Sequence, residues 1–344
     1  MKKRTKLAAA LCCLGLMMTL ALPAFAAGTI TTETTMGEIR SNPGVQGAGI
    51  WTNSKFRDIK PLQTYYYNKQ TLAEFVGSEN AEASAAGLNL AVENYEAGRQ
   101  VTYKLYSDEE IAADPTKEVA ELNYFPAKTP NAKYALVLSG NISTRTAELK
   151  ECISTAYELH EKGYAVFTMR YRVFQNASDN APLDDIGRAV QFITEHAKVF
   201  DVQTENYALL GYSSGGQIAG VFGNEEKGWG RFIGINTECA MQCFPGQSAY
   251  AAAKRGMDGV LRVLAKEAGP FGVTVNQVAP GWTISDRWRE SPGDDREYAA
   301  RVPLKRRGTD QEIANAVLFL ASDLASYITG VYLPVCGGNE MPCI

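Results

Sequence analysis

Histidine is nearly absent from this chain: only His160 and His196 occur in 344 residues. A charge excess of either sign is also missing, because 34 Lys and Arg face 38 Asp and Glu. That balance gives no reason to expect a nucleic-acid partner, and a cluster such as Lys305-Arg306-Arg307 is short enough to be solvated surface. After residue 26 no apolar run approaches the roughly 20 residues needed to span a bilayer. Of the seven cysteines, Cys12 and Cys13 fall in an N-terminal apolar segment. The other five, Cys152, Cys239, Cys243, Cys336 and Cys343, are an odd number, which argues against a disulfide framework and for buried thiols. No histidine stands at zinc-binding spacing from any of them.

The first segment is what is present instead. Lys2, Lys3, Arg4 and Lys6 precede an apolar run from Leu7 to Leu22, and Ala24-Phe25-Ala26 supplies the small residues read by a signal peptidase. The pattern predicts a signal peptide over 1–26, cleavage after Ala26, a secreted or periplasmic location, and no membrane attachment after cleavage.

Residues 27–100 read as an N-terminal lead-in followed by helices. The Thr-, Gly- and Asn-rich part up to about Lys60 has no clear period and predicts poor packing, and Leu72 to Gly98 predicts one or two helices broken near Gly87. Val101–Tyr106 and Val119–Phe125 alternate with period two and predict a strand pair. After Pro130, short continuous apolar runs (Tyr134–Leu138, Tyr164–Met169, Tyr207–Leu210) alternate with helical patterns (Glu148–Lys162, Leu183–Phe200). Buried strands alternating with amphipathic helices predict an α/β fold, a doubly wound and mostly parallel Rossmann-like sheet.

Between the third of these strands and the next helix lies Gly211-Tyr212-Ser213-Ser214-Gly215, a G-x-S-x-G in the context of a nucleophile elbow. Its glycines leave room for a turn that lifts the Ser213 hydroxyl above the sheet. The Ser214 N–H, at the helix start, would face a developing oxyanion. With the preceding strands, residues 101–228 resemble an α/β-hydrolase of the esterase or lipase kind. The resemblance implies a Ser213 nucleophile, with Ser214 and the Ser139-Gly140-Asn141 loop, through Gly140, as oxyanion donors. It also implies a histidine after Ser213, and both histidines precede it.

From residue 229 the pattern changes. Phe232–Ile235 predicts a buried strand, Thr237 stands thirteen positions before Tyr250, and Tyr250-Ala-Ala-Ala-Lys254 places a tyrosine and a lysine on one helical face. Val273–Gly281 predicts a strand ending in a Pro-Gly turn. Residues 302–323 predict a late helix, and Tyr327–Gly338 a last strand. Residues 229–344 resemble the C-terminal half of a short-chain dehydrogenase/reductase. The resemblance implies Tyr250 as proton donor, Thr237 orienting the substrate oxygen, and Lys254 favouring the phenolate and binding a ribose. It further implies that Pro280, Gly281, Thr283 and Ser285 line the site of NAD or NADP together with Tyr250 and Lys254. A small-molecule substrate and a possible homo-oligomer through the late helices follow from the same resemblance.

The glycine-rich dinucleotide turn of that family has no counterpart, since Gly44-Val-Gln-Gly47-Ala-Gly49 has the wrong spacing. The chain therefore reads as a hybrid of two half-enzymes with a seam between Glu225 and Gly230. The hybrid predicts one sheet in which the Tyr207 strand lies beside the Phe232 strand, bringing Ser213 and Tyr250 into one crevice. Three readings follow: an oxidoreductase transferring hydride between NAD(P) and a carbonyl or alcohol, impaired by the missing fingerprint; a secreted carboxylic-ester hydrolase without its histidine; or a fusion product with no catalysis.

Overall fold

A computed structural model describes residues 28–50, 61–142, 145–205, 207–225, 230–284, 293 and 296–341. The predicted signal peptide, Ser285, Cys343 and most of the expected seam lie outside the described residues.

The described part of the lead-in, residues 28–50, is better packed than its composition predicts. Thr35 and Glu38 form a capping box that starts the helix Met36–Ser41, and Asn42 caps the next helix, Pro43–Ala48, whose first residue is proline. These local signals outweigh the missing apolar period. Met36, Ile39, Val45 and Ile50 are consequently in the core. The helix Ser78–Glu96 runs unbroken through Gly87, and the chain bends instead at Gly77, where φ is 95°. Gly87 is needed for contact, because a Cβ there would sit 2.9 Å from the Ile153 side chain and carbonyl oxygen.

The strands in chain order are β1 (Thr102–Lys104), β2 (Glu121–Phe125), β3 (Tyr134–Leu138), β4 (Asn141–Ile142), β5 (Arg145–Thr146), β6 (Ala165–Arg170), β7 (Ala208–Gly211), β8 (Gly230–Ile235), β9 (Val273–Pro280) and β10 (Tyr332–Val335). The first sheet has the order β1-β2-β6-β3-β7. Its β6, β3 and β7 are parallel, as predicted, and β2 runs antiparallel to both β1 and β6. Alternation along β3 sends Ala135 and Val137 to a face covered by Leu88, Ala91, Ile153 and Ala156. Tyr134, Leu136 and Leu138 go to the other face, under Ile186, Ala189 and Ile193. Burial on both faces is why this strand reads as a continuous apolar run.

The second sheet is parallel, in the order β10-β9-β8. Val273 and Val275 pack beneath Leu261 and Ala265 of the helix Ser248–Ala268, while Val278 packs with Leu320 of the helix Asp310–Ala321. These clusters are small, and Val260, Val263, Leu318 and Leu324 stay exposed.

The junction is not the expected one, in which the Tyr207 strand lies beside the Phe232 strand. β7 and β8 are not paired, so there are two sheets where one was expected. The contact across the junction is made by the helix Ser214–Glu225, where a Cβ on Gly220 would lie 2.7 Å from the Phe232 ring. Central parallel strands are held by burial on both faces. Most residues of β7 and β8 are only half-buried, so little apolar surface is available to drive their edges together.

Candidate functional site

Two separate sites have to be considered, one at the carboxyl end of each sheet. At the end of β7 the expected elbow geometry is present: Ser213 has φ 51°, in the left-handed region, and is exposed. The turn is closed by glycines with no space to spare. A Cβ on Gly211 would meet Gly215 and Gly216 backbone atoms at 2.5 Å, and one on Gly215 would meet the Ser139 carbonyl oxygen at 2.4 Å.

Of the two expected oxyanion donors, Gly140 is already engaged. The Gly140 N–H donates to Oε2 of Glu151 at 2.7 Å, so that donor is committed to a carboxylate. A Cβ on Gly140 would lie 3.2 Å from Ser213 Oγ and 3.3 Å from Glu151 Oε2, which places this negative charge beside the serine. A developing oxyanion would be repelled there. The Ser214 side chain is engaged with Tyr171. Both histidines are committed to backbone carbonyl oxygens, His160 Nδ1 at 2.7 Å from that of Pro126 and His196 Nδ1 at 2.8 Å from that of Phe192. Nothing in the sequence signals Glu151, which reaches Gly140 from eleven residues away.

At the end of the second sheet a cavity of about 620 Å³ is lined by Thr237, Cys239, Gln247, Ser248, Tyr250 and Trp282, among others. Ser213 is not among its walls, so this cavity is not the crevice shared by Ser213 and Tyr250 that was expected. Thr237 follows β8 and is nearly buried, while Tyr250, in the first turn of the helix Ser248–Ala268, is half-exposed to the cavity. Lys254, one turn later, donates from Nζ to the Ile235 carbonyl oxygen at 3.0 Å. Burial lowers its pKa from the ordinary lysine value.

The framework behind these residues is a buried amide network that was not read from the sequence. Asn236 Nδ2 donates to Gln277 Oε1 at 2.7 Å and to the Lys254 carbonyl oxygen at 3.2 Å. Its Oδ1 accepts the Thr237 N–H at 2.9 Å. Gln277 Nε2 in turn donates to Asp258 at 2.9 Å. β8, β9 and the tyrosine helix are thereby locked together, and a fully paired network of this kind fixes one geometry. The available signal was the polar pair Asn276-Gln277 inside an otherwise apolar strand.

Pro280 accepts the Glu238 N–H at 3.0 Å, and the Gly281 N–H donates to Val335 at 3.0 Å. Gly281 is required sterically, since a Cβ would lie 2.8 Å from the Cys336 Cα. Trp282 stacks on Tyr298, with ring centroids 4.6 Å apart, and Thr283 forms an isolated bridge to Gly308. Three of the four cysteines in the described residues are buried free thiols, but Cys243 is exposed. It sits at φ 53°, just past the helix Cys239–Gln242.

Neither glycine-rich segment fits a dinucleotide. Gly44 and Gly47 lie in the helix Pro43–Ala48, where added Cβ atoms would strike Val92 at 2.5 Å and Tyr95 at 2.2 Å. These glycines serve helix packing and do not form a phosphate turn. The Gly211–Gly216 turn is closed on itself, and the Glu151 carboxylate beside it would repel a phosphate.

Comparison with known proteins also gives a two-part chain, with bounds that differ from 101–228 and 229–344 and overlap over residues 217–247. Residues 217–340 match a family model described as enoyl-(acyl carrier protein) reductase, and residues 126–247 match the family model BD-FAE. The 3-oxoacyl-[acyl-carrier-protein] reductase FabG of Pseudomonas aeruginosa is 43% identical over 143 residues, covering 41% of this chain and 57% of that protein. The FabG of Escherichia coli is 48% identical over 117 residues, covering 34% of this chain and 48% of that protein. The chain thus spans about half the length of the curated relatives it matches. A short-chain type dehydrogenase/reductase from Mycobacterium ulcerans superposes with a TM-score of 0.46 at 20% identity, over 61% of this chain and 91% of that structure.

Proposed function

We propose that this chain is an oxidoreductase of the short-chain dehydrogenase/reductase type through its C-terminal half. On this reading it keeps the proton-relay side of a carbonyl or alcohol site, and its turnover is impaired because the described residues offer no dinucleotide cradle. The observation that carries the reading is that Thr237 and Tyr250 line one cavity while Lys254 is anchored to the end of β8 one turn behind. A carbonyl oxygen in that cavity would accept from the Tyr250 and Thr237 hydroxyls. Proton donation from the Tyr250 hydroxyl to that oxygen is the general-acid step assigned to this side of the site. No hydride step is assigned, because neither glycine-rich segment among the described residues fits a dinucleotide.

By similarity to the 3-oxoacyl reductases, a short 3-oxoacyl thioester is the ligand to test. Quenching of Trp282 fluorescence by acetoacetyl-N-acetylcysteamine should saturate in the parent and weaken about tenfold or more in Tyr250→Phe, the equivalent of roughly 1.4 kcal/mol. Equal affinity in both proteins would refute the assignment. NAD(P)H oxidation should be absent or at trace level.

The elbow favours a second reading, a carboxylic-ester hydrolase centred on Ser213. It requires labelling of Ser213 by a fluorophosphonate. The Glu151 carboxylate at Gly140 and the commitment of both histidines to carbonyl oxygens count against it.

A further inference from the structure

The cavity that holds Thr237 and Tyr250 also has an indole in its wall, and the proton relay makes no use of it. Trp282 lines the cavity and is 40% exposed, yet it is held firmly from behind. Its backbone N–H donates to the Tyr298 hydroxyl at 2.9 Å. Its ring lies parallel to the Tyr298 ring, with centroids 4.6 Å apart and planes inclined by 5°. Tyr298 is buried, so the indole rests on packed interior. The preceding backbone is fixed as well, because a Cβ on Gly281 would lie 2.8 Å from both the Cys336 Cα and the Tyr298 hydroxyl oxygen.

The remaining neighbour is the Arg307 guanidinium, whose central carbon stands 4.9 Å from the Trp282 ring centre and 5.7 Å from that of Tyr298. A guanidinium across the indole from Tyr298 would be separated from the tyrosine ring by nearly the sum of the two spacings measured from Trp282. The observed separation is far shorter, so Arg307 sits beside Tyr298, on the covered side. The opposite face of the indole meets no ring or guanidinium among the described residues.

A half-exposed indole pinned in a concave site differs from an aromatic scattered on the surface. Elsewhere in the wall Gly246, Ser248 and Ala249 are small and Gln247 is polar, which leaves Trp282 and Tyr250 as the large rings. The volume of about 620 Å³ falls within the range of small-molecule sites, roughly 300–1,000 Å³.

We propose that the free face of Trp282 is a stacking platform and that the cavity takes an aryl carbonyl compound, its uncharged aromatic ring laid against the indole and its carbonyl oxygen at the Thr237 and Tyr250 hydroxyls. The placement of the oxygen rests on the proposed function; the placement of the ring does not. An aromatic ring offset over the indole gains from the match of ring edge to ring face, beyond the apolar area it buries. A saturated ring of the same size buries similar area but has no flat face to present. An uncharged ring is specified because Arg307 already sets a positive charge against this indole.

Acetophenone and cyclohexyl methyl ketone share the carbonyl and the ring size and differ in flatness. Their dissociation constants are measured by ligand-detected NMR on the intact chain and on Trp282→Leu, Trp282→Phe and Tyr250→Phe. In the parent, acetophenone should bind about threefold or more tighter than the saturated ketone, and its ring protons should move upfield in the ring current of the indole. Trp282→Phe should keep most of that preference. Trp282→Leu should bind the two ketones equally, without the upfield shift. Equal affinities in the parent, a preference that survives unchanged in Trp282→Leu, or no saturable binding of acetophenone overturns the proposal. If Trp282→Leu loses its far-UV circular dichroism, the two ketones on the parent alone decide. Tyr250→Phe separates this proposal from the proposed function. A ring preference in the parent with both affinities unchanged in Tyr250→Phe supports the platform and refutes the relay, whereas equal affinities in the parent that both weaken in Tyr250→Phe refute the platform alone.

Discussion

Replacing Asp185 by alanine should be among the most damaging single changes in this chain, and its size can be worked from the contacts. The carboxylate is fully buried. Oδ1 accepts from Arg172 Nη2 and from the Tyr106 hydroxyl, each at 2.7 Å, and Oδ2 accepts the Arg172 backbone N–H at 2.8 Å. Arg172 Nε adds contacts at 3.0 and 3.1 Å. Without Asp185 the guanidinium, itself buried, keeps longer contacts, to Asp114 at 3.4 Å and to the Ala181 carbonyl oxygen and the Tyr106 hydroxyl at 3.3 Å each. Breaking a buried pair from one side costs about 3–5 kcal/mol, a large part of a total stability of about 5–15 kcal/mol. With a urea slope of about 2–3 kcal/mol per molar, the midpoint should fall by roughly 1–2.5 M. The double change Arg172→Met with Asp185→Leu should recover a good part of that loss, because it removes both charges. A drop below about 1 kcal/mol in Asp185→Ala would show that the remaining contacts or entering water compensate the arginine, and the reasoning would fail.

Other expectations are more local. Gly215→Ala should destabilise the elbow by about 1–3 kcal/mol or prevent folding, because the new methyl would meet the Ser139 carbonyl oxygen; wild-type stability in a denaturant titration would contradict this. Glu312, held by Arg306 and by its capping box with Thr309, has its pKa lowered to about 2. Its contribution is therefore present above the ordinary 4.5 and is lost as pH falls towards 2. Its carboxyl carbon should titrate near 2 by NMR, and Arg306→Ala should move the midpoint upward. Under native conditions iodoacetamide should modify Cys243, which is exposed, well before Cys152, whose thiol is buried and has its pKa raised by burial. Peptide mass spectrometry would read the order, and equal rates would contradict the burial. Isothermal titration with NADPH at millimolar concentration should give no saturable heat; a clear isotherm would reveal a dinucleotide site that the described residues do not show.

Much of the framework was legible in the residues. The continuous apolar runs gave β3, β6 and β7, and the alternating pairs gave β1 and β2, because strand burial leaves a direct imprint on side-chain type. The G-x-S-x-G turn was legible because its glycines are the only residues that fit. The lead-in was misjudged because its order comes from capping boxes and proline, which leave no apolar period. The helix through Gly87 was misjudged because that glycine answers to a neighbour, Ile153, far along the chain.

By itself the sequence determined the two-part character of the chain, which segments of it become strands, and the pairing of Tyr250 with Lys254 on one helix. These follow from local periodicity and short-range spacing. Only the tertiary structure decided that β7 and β8 stay in separate sheets, that Ser213 does not line the Tyr250 cavity, that Glu151 occupies the Gly140 N–H, and that Asn236, Gln277 and Asp258 form one buried network. Each of these depends on which distant surfaces gain enough by being buried together, and no local pattern encodes that balance.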